Sequence, residues 1–173
     1  MRPTELLKNE HQVLLIALDA LDHLEQALAY GGGSFPGEMV GRILDFMTVY
    51  ADQFHYYKEE QLLIPRLELR GMTAADGPIG LVRQEHAMAR HRVAQALKLL
   101  PAAAKGDARA QVDLRRFLVS TVNLLRAHIG MEELIFLRQA DLHLLKSFLL
   151  ILHDAPLRGP IVSFCEGCLV SPH

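Results

Sequence analysis

The sequence predicts an all-α protein, an up-down-up-down antiparallel four-helix bundle with a short C-terminal helix and a tail. Long segments rich in Leu, Ala, Glu, Gln and Arg, which favour helix, alternate with short connections that contain glycine and proline. Within the segments, apolar residues recur three and four positions apart, the spacing of one buried helix face. Because short connections between long helices favour antiparallel neighbours, a bundle is the economical architecture.

Three connections set the predicted helix boundaries. They are YGGGSFPG (30–37), RGMTAADGP (70–78) and PAAAKGDA (101–108). The predicted helices cover residues 4–30, 37–64, 78–100 and 108–138, and a fifth, shorter helix covers 141–154. We therefore predict a bundle domain over residues 1–141 and a C-terminal helix with a cysteine-containing tail over 142–173.

Helix-end signals support these boundaries. Thr4 is suited to cap the first helix, and Pro36 and Pro78 lie near the starts of the second and third, where proline is tolerated. Pro65 is expected to end or kink the second helix near Leu63 or Ile64.

Composition and charge exclude several classes of protein. The 173 residues are half apolar and carry a formal charge of −2, which fits one globular domain and excludes a disordered chain or a basic nucleic-acid binder. No run of 18 uninterrupted apolar residues is present, and Met1 is followed by Arg2-Pro3-Thr4-Glu5 instead of an apolar signal region. The sequence thus predicts a cytoplasmic protein without a nucleic-acid or membrane partner.

Six polar residues lie on the predicted apolar helix faces. Each of the four helices contributes one histidine, and two helices add a glutamate: His11, His55, Glu59, His86, His128 and Glu132. A single histidine on such a face is more often a hydrogen-bonded core residue than a metal ligand. A buried carboxylate, however, requires a cation or a proton donor. The six side chains would satisfy one another only in part, and a metal would satisfy them better.

An internal repeat relates the two halves of the chain. A shift of 73 positions places His55, Glu59 and Glu60 on His128, Glu132 and Glu133, and a shift of 75 places Glu10-His11 on Glu85-His86. Two similar helical hairpins packed together would give a pseudo-twofold bundle. A site with two metal centres, bridged by the two carboxylates, follows from that arrangement.

The motifs NEH (9–11), HYYKEEQLLIP (55–65), QEHAMAR (84–90) and HIGMEELIFL (128–137) resemble those of the hemerythrin-like, HHE cation-binding domain family, over about residues 4–141. The resemblance implies a non-haem di-iron site with an oxo or hydroxo bridge, for which Mn or Zn could substitute. The implied metal ligands are the six residues above. The implied small ligands are dioxygen, nitric oxide or peroxide.

The chain also departs from the oxygen-carrier pattern of that family. Oxygen-carrying hemerythrins have a second histidine four residues after the one on the third helix, where this chain has Arg90. Arginine keeps its proton and does not ligate, so we expect the guanidinium to turn away and leave a more open site. Glu10 and Glu85 are interpreted as solvated carboxylates in preference to partners of the imidazoles, and Tyr56 as a packing residue.

Three functions remain open. The first is a di-iron protein that binds or senses dioxygen, nitric oxide, peroxide or iron status, and that signals through a separate partner protein. The second is an enzyme that reduces peroxide or nitric oxide with the same site, and the third is a metal-free helical interaction module. We favour a metal-binding or sensing protein over a dedicated enzyme. Cys165 and Cys168 in the tail are a weak signal for an added redox or metal-linked switch.

Overall fold

The computed structural model describes residues 4–30, 35–72 and 77–143. The first helix is Glu5–Tyr30. The second helix (37–68) runs through Gly37–Phe46, the π-helical stretches Met47–Tyr56 and Lys58–Leu63, and Ile64–Glu68. The third is Pro78–Ala104, and the fourth (108–143) runs through Ala108–Met131, the π-helical stretch Glu132–Phe136 and Leu137–His143. The all-α bundle prediction is confirmed.

Several predicted helix ends were wrong by a few residues. The second helix does not end at Pro65, because this proline lies in the first turn of Ile64–Glu68, where a missing N–H costs little. The third helix continues through Pro101 and ends before Gly106, whose positive φ of 89° and backbone N–H contact with Ala103 close the helix.

The start of the first helix and the end of the fourth helix lie in contact. Thr4 precedes the first helix, and its hydroxyl donates to Asp141 at 2.8 Å, which ties the start of the bundle to the fourth helix. The fourth helix extends to His143 without the break expected near residue 139. The rest of the predicted fifth helix, and the tail with Cys165 and Cys168, lie outside the described residues, and the division at residue 141 stays a prediction.

Within the described ranges, the apolar core forms two separate clusters. The larger cluster includes Leu18, Leu44 and Leu118, and the smaller one includes Leu7 and Phe136. On every helix the predicted ligand histidine lies between residues of the two clusters, as His86 does between Val82 and Ala89. A layer of buried polar side chains therefore separates the two halves of the core.

The π-helical stretches coincide with this polar layer. His55 lies in Met47–Tyr56, Glu59 in Lys58–Leu63, and Glu132 opens Glu132–Phe136. A π turn is wider than an α turn, is rare in proteins and frequently occurs at functional sites. None of the helices in the described ranges combines the length and the apolar character that crossing a bilayer requires.

Candidate metal centre

The four helices bring the six predicted residues together in the middle of the bundle. All six are buried, and their side chains form two groups of four: His11, His55, Glu59 and Glu132 (centre 1), and Glu59, His86, His128 and Glu132 (centre 2). Within each group the candidate ligand atoms lie within 4.8 Å of one another. Both glutamates belong to both centres, which is the arrangement that bridging carboxylates require.

The distances across the two centres follow the repeat. His11 Nε2 lies 3.1 Å from Glu132 Oε2, and His86 Nε2 lies 3.2 Å from Glu59 Oε2. His55 Nε2 is 3.6 Å from Glu59 and His128 Nε2 is 3.4 Å from Glu132. Each half of the chain therefore supplies the same set of groups in the same geometry.

Protein partners do not satisfy the inward atoms of this cluster. His11 Nε2, His55 Nε2 and both carboxylate oxygens of Glu59 and of Glu132 are buried and have no hydrogen-bond partner among the described residues. Buried polar atoms are nearly always paired, and an unpaired buried carboxylate is costly. Imidazole nitrogens and carboxylate oxygens are suitable ligands for iron, manganese or zinc, so the residues present fit a metal pair.

Four glutamates form a second shell around the cluster, and each contacts the Nδ1 atom of one of the four buried histidines. His11 Nδ1 lies 3.0 Å from Glu133, His55 Nδ1 2.9 Å from Glu10, His86 Nδ1 2.8 Å from Glu60 and His128 Nδ1 2.9 Å from Glu85. An ionised carboxylate only accepts, so Nδ1 carries the proton and Nε2 faces the centre. Four carboxylates thus select the tautomer that a metal ligand needs.

This second shell corrects the interpretation of Glu10 and Glu85 as solvated residues. Each contacts a histidine on a neighbouring helix, and Glu10 is itself buried. Glu60 and Glu133 likewise contact His86 and His11 on neighbouring helices. The repeat was the available signal, because all four glutamates are related in pairs by its two shifts.

Electrostatic coupling in the cluster is strong. Burial by itself lowers the pKa of His86, but the Glu59 carboxylate 3.2 Å from Nε2, the hydrogen bond to Glu60 and the charge of Glu132 raise that pKa to about 9. Burial and the charge on His86 lower the pKa of His128 to about 3. The two rings lie 3.1 Å apart between their Nε2 atoms, so His86 Nε2–H donates to the neutral His128.

The two shared carboxylates have opposite shifts. Burial would raise the pKa of Glu59, but His55 and His86 lower it to about 2. Burial and the negative charge of Glu59 raise the pKa of Glu132. A second negative charge is therefore unfavourable here without a cation between the carboxylates.

We expect metal affinity to increase with pH up to about pH 9. The folded protein without metal holds a proton on His86 below a pKa of about 9, and a metal must displace it, which lowers the apparent affinity by up to about tenfold per pH unit. Calorimetric Zn²⁺ titration in buffers of different ionisation enthalpy measures the released protons. Binding with the same affinity at pH 6.5 and pH 8.5 would contradict this prediction.

Two cations contact the second shell. Lys58 is only 3% exposed, and its Nζ forms an ion pair with Glu10 Oε1 while lying 3.6 Å from the centre of the Phe54 ring. Arg90 contacts both Glu60, at 3.0 Å, and Asp52, at 2.5 Å. Lys58 was not predicted from the sequence as a buried residue, although Met47, Ala51, Phe54 and Lys58 continue the buried spacing of the second helix.

A cavity of about 290 Å³ lies beside centre 2. Its mostly apolar wall includes Ala51 and Val93, and the polar residues that line it are Thr48, Asp52, Tyr56 and Arg90. The Tyr56 ring stacks on His86 with centroids 3.6 Å apart, which makes it the wall between the cavity and the cluster. Burial, followed by the charges of Glu132 and Glu59, raises the pKa of Tyr56 well above its ordinary value, so this wall stays neutral.

Fold and site together define a class, helical-bundle proteins with a buried histidine and carboxylate cluster suited to two metal ions. The family model of the hemerythrin HHE cation binding domain matches residues 2–140. The chain therefore belongs to this family, and the resemblance seen in the motifs is confirmed. No curated protein and no solved structure gives a significant match.

Proposed function

We propose that this protein is a non-haem di-iron protein whose metals are held by His11 and His55 in centre 1, by His86 and His128 in centre 2, and by Glu59 and Glu132 between them. The observation that carries this proposal is the set of six buried nitrogen and oxygen atoms that find no hydrogen-bond partner in the part of the chain that the structure describes. Family membership supports cation binding. The ligand assignment, iron as the native metal and an oxo or hydroxo bridge are parts of the proposal, with Mn or Zn as substitutes.

We further propose that the site binds or senses dioxygen, nitric oxide or peroxide, or reports iron status. When bound, a pair of iron ions would supply reversible one-electron chemistry. It would also supply open coordination positions, because six protein ligands do not fill two octahedral ions. The chain's own residues orient the imidazoles, exclude water between two apolar clusters and border a cavity that admits small molecules. A cytoplasmic location and a separate signalling partner belong to the same proposal.

An enzyme that reduces peroxide or nitric oxide is the alternative, and the cavity next to Tyr56 favours it because turnover requires a route for substrate. Steady-state assays of the iron-loaded chain with peroxide or nitric oxide and a defined reductant separate the two. A binding or sensing protein should show single binding events without sustained turnover. The metal-free interaction module is disfavoured by the unpartnered carboxylates.

Metal stoichiometry tests the proposal directly. We expect the stripped protein, reconstituted anaerobically with Fe²⁺, to retain about two irons per chain after gel filtration, as a carboxylate-bridged pair requires. Metal analysis and protein quantification by amino-acid analysis give the ratio. A reproducible value of one iron or none after full reconstitution would reject the dinuclear site.

A further inference from the structure

The two centres differ in the charge placed behind their histidines, although the repeat makes their ligands alike. Behind His55 of centre 1, Glu10 is paired with Lys58, and both side chains are almost fully buried. The shift of 73 positions that lays His55 on His128 lays Lys58 on Met131. In centre 2, where Glu85 corresponds to Glu10, the repeat therefore places the uncharged Met131 where centre 1 has Lys58.

We propose that Lys58 makes the two metal centres unequal, so that centre 1 binds a divalent cation less tightly than centre 2. This inference rests on the proposed dinuclear site and assigns Lys58 as a positioning residue that acts through Glu10 and His55. It predicts that centre 2 fills first and that centre 1 is the labile position.

Lys58 has two effects, and both lower the affinity of centre 1 for a divalent cation. The carboxylate of Glu10 accepts from His55 Nδ1 through Oε2 and contacts Lys58 through Oε1. A carboxylate that shares its charge with an ammonium polarises the imidazole less, and the Nε2 of that imidazole becomes a weaker ligand. The positive charge also repels a dication directly, and in a buried setting this repulsion is weakly screened.

Arg90 lies on the side of centre 2, but its charge does not offset the effect of Lys58 on centre 1. Its guanidinium contacts two carboxylates, Glu60 behind His86 and Asp52, so the group of three carries a net negative charge. Arg90 is also 34% exposed, where water screens its field more than that of Lys58. The buried cation beside centre 1 has one described carboxylate partner, Glu10, which is shared with His55.

The chain offers a matched pair of variants for the test. Lys58→Met gives both halves the same uncharged residue, and Met131→Lys adds a charge at the corresponding position of the other half. Each stripped protein is titrated with Co²⁺, with visible absorption reporting coordination and calorimetry reporting affinity. Lys58→Arg keeps the charge and serves as the conservative control, and circular dichroism verifies the helical fold of each variant.

We expect Lys58→Met to tighten the weaker Co²⁺ step by about tenfold, the lower end of the range for outer-shell partners of a metal ligand. The stronger step should stay within about twofold, Met131→Lys should weaken it, and Lys58→Arg should behave like the unchanged chain. Two unequal steps alone do not suffice, because two neighbouring dications repel even in identical sites.

Single-centre backgrounds assign the steps. In His86→Ala, the remaining Co²⁺ site is centre 1 and Lys58→Met should tighten it. In His11→Ala, the remaining site is centre 2 and Lys58→Met should leave it unchanged. If two Co²⁺ ions bind and Lys58→Met changes neither affinity, this inference is overturned and the proposed dinuclear site is retained. An unchanged chain that takes up fewer than two ions would overturn the proposed function itself.

Discussion

Replacement of Glu59 or Glu132 by alanine is expected to remove metal from both centres at once. Each carboxylate belongs to both groups of candidate ligands, so one substitution deletes a ligand from each metal ion. Bound metal should fall from about two ions per chain to well below one after gel filtration. Loss of a single histidine deletes a ligand from one centre only, so His11→Ala should retain about one ion.

Two controls separate ligand loss from other effects. Glu38 lies on the same helix as Glu59 but is 82% exposed and pairs with Arg42, so Glu38→Ala should keep the full metal content. Glu60→Gln removes the charge behind His86 without deleting a ligand, and should weaken binding by about 10–100-fold while both ions still bind at high metal concentration. Retention of two ions by Glu59→Ala would show that the shared carboxylates are not ligands.

The spacing of apolar residues was sufficient to predict the polar layer of this bundle. His55 and Glu59 are four residues apart on the buried stripe of the second helix, as are His128 and Glu132 on the fourth. Both pairs are buried in the structure. This part of the prediction succeeded because side-chain periodicity is a local property of the chain.

The partners of those residues could not be predicted in the same way. Glu10 was considered beside its neighbour His11, but it contacts His55 on the second helix. That pairing depends on how far one helix is displaced along its axis relative to another, which a single sequence does not record. The π-helical stretches were also missed, because the buried residues Met47, Ala51, Phe54 and Lys58 keep the three- and four-residue spacing of an α-helix.

Arg90 shows how structure changes the meaning of a substitution seen in sequence. A permanent cation one turn after His86 was expected to turn away from the metals and leave an open position. The guanidinium binds Glu60 and Asp52 and lies 5.4 Å from the centre of the Tyr56 ring. It therefore braces the carboxylate behind His86 and forms part of the cavity wall. We therefore expect access to centre 2 to depend on this cavity as well as on the absence of a histidine at position 90.

Removal of the metals is expected to lower the melting temperature of the protein by at least about 10 °C. A ligand that binds only the folded state at 100 times its dissociation constant stabilises that state by about 2.7 kcal/mol, and two metal sites roughly double this value. For a chain of this size each kcal/mol shifts the melting temperature by about 2–4 °C. The physical origin is the cluster itself, in which no residue within 4–30, 35–72 or 77–143 hydrogen-bonds the buried carboxylate oxygens of Glu59 and Glu132.

Scanning calorimetry of the stripped and the reconstituted protein at pH 7.5 measures this shift. Glu59→Ala is the matched control, because it should melt at the same temperature with and without added metal. Glu38→Ala should reproduce the full shift of the unchanged chain, since its side chain is exposed and far along the helix from the cluster. A metal-dependent shift of similar size in Glu59→Ala would mean that the stabilising metal binds elsewhere on the chain.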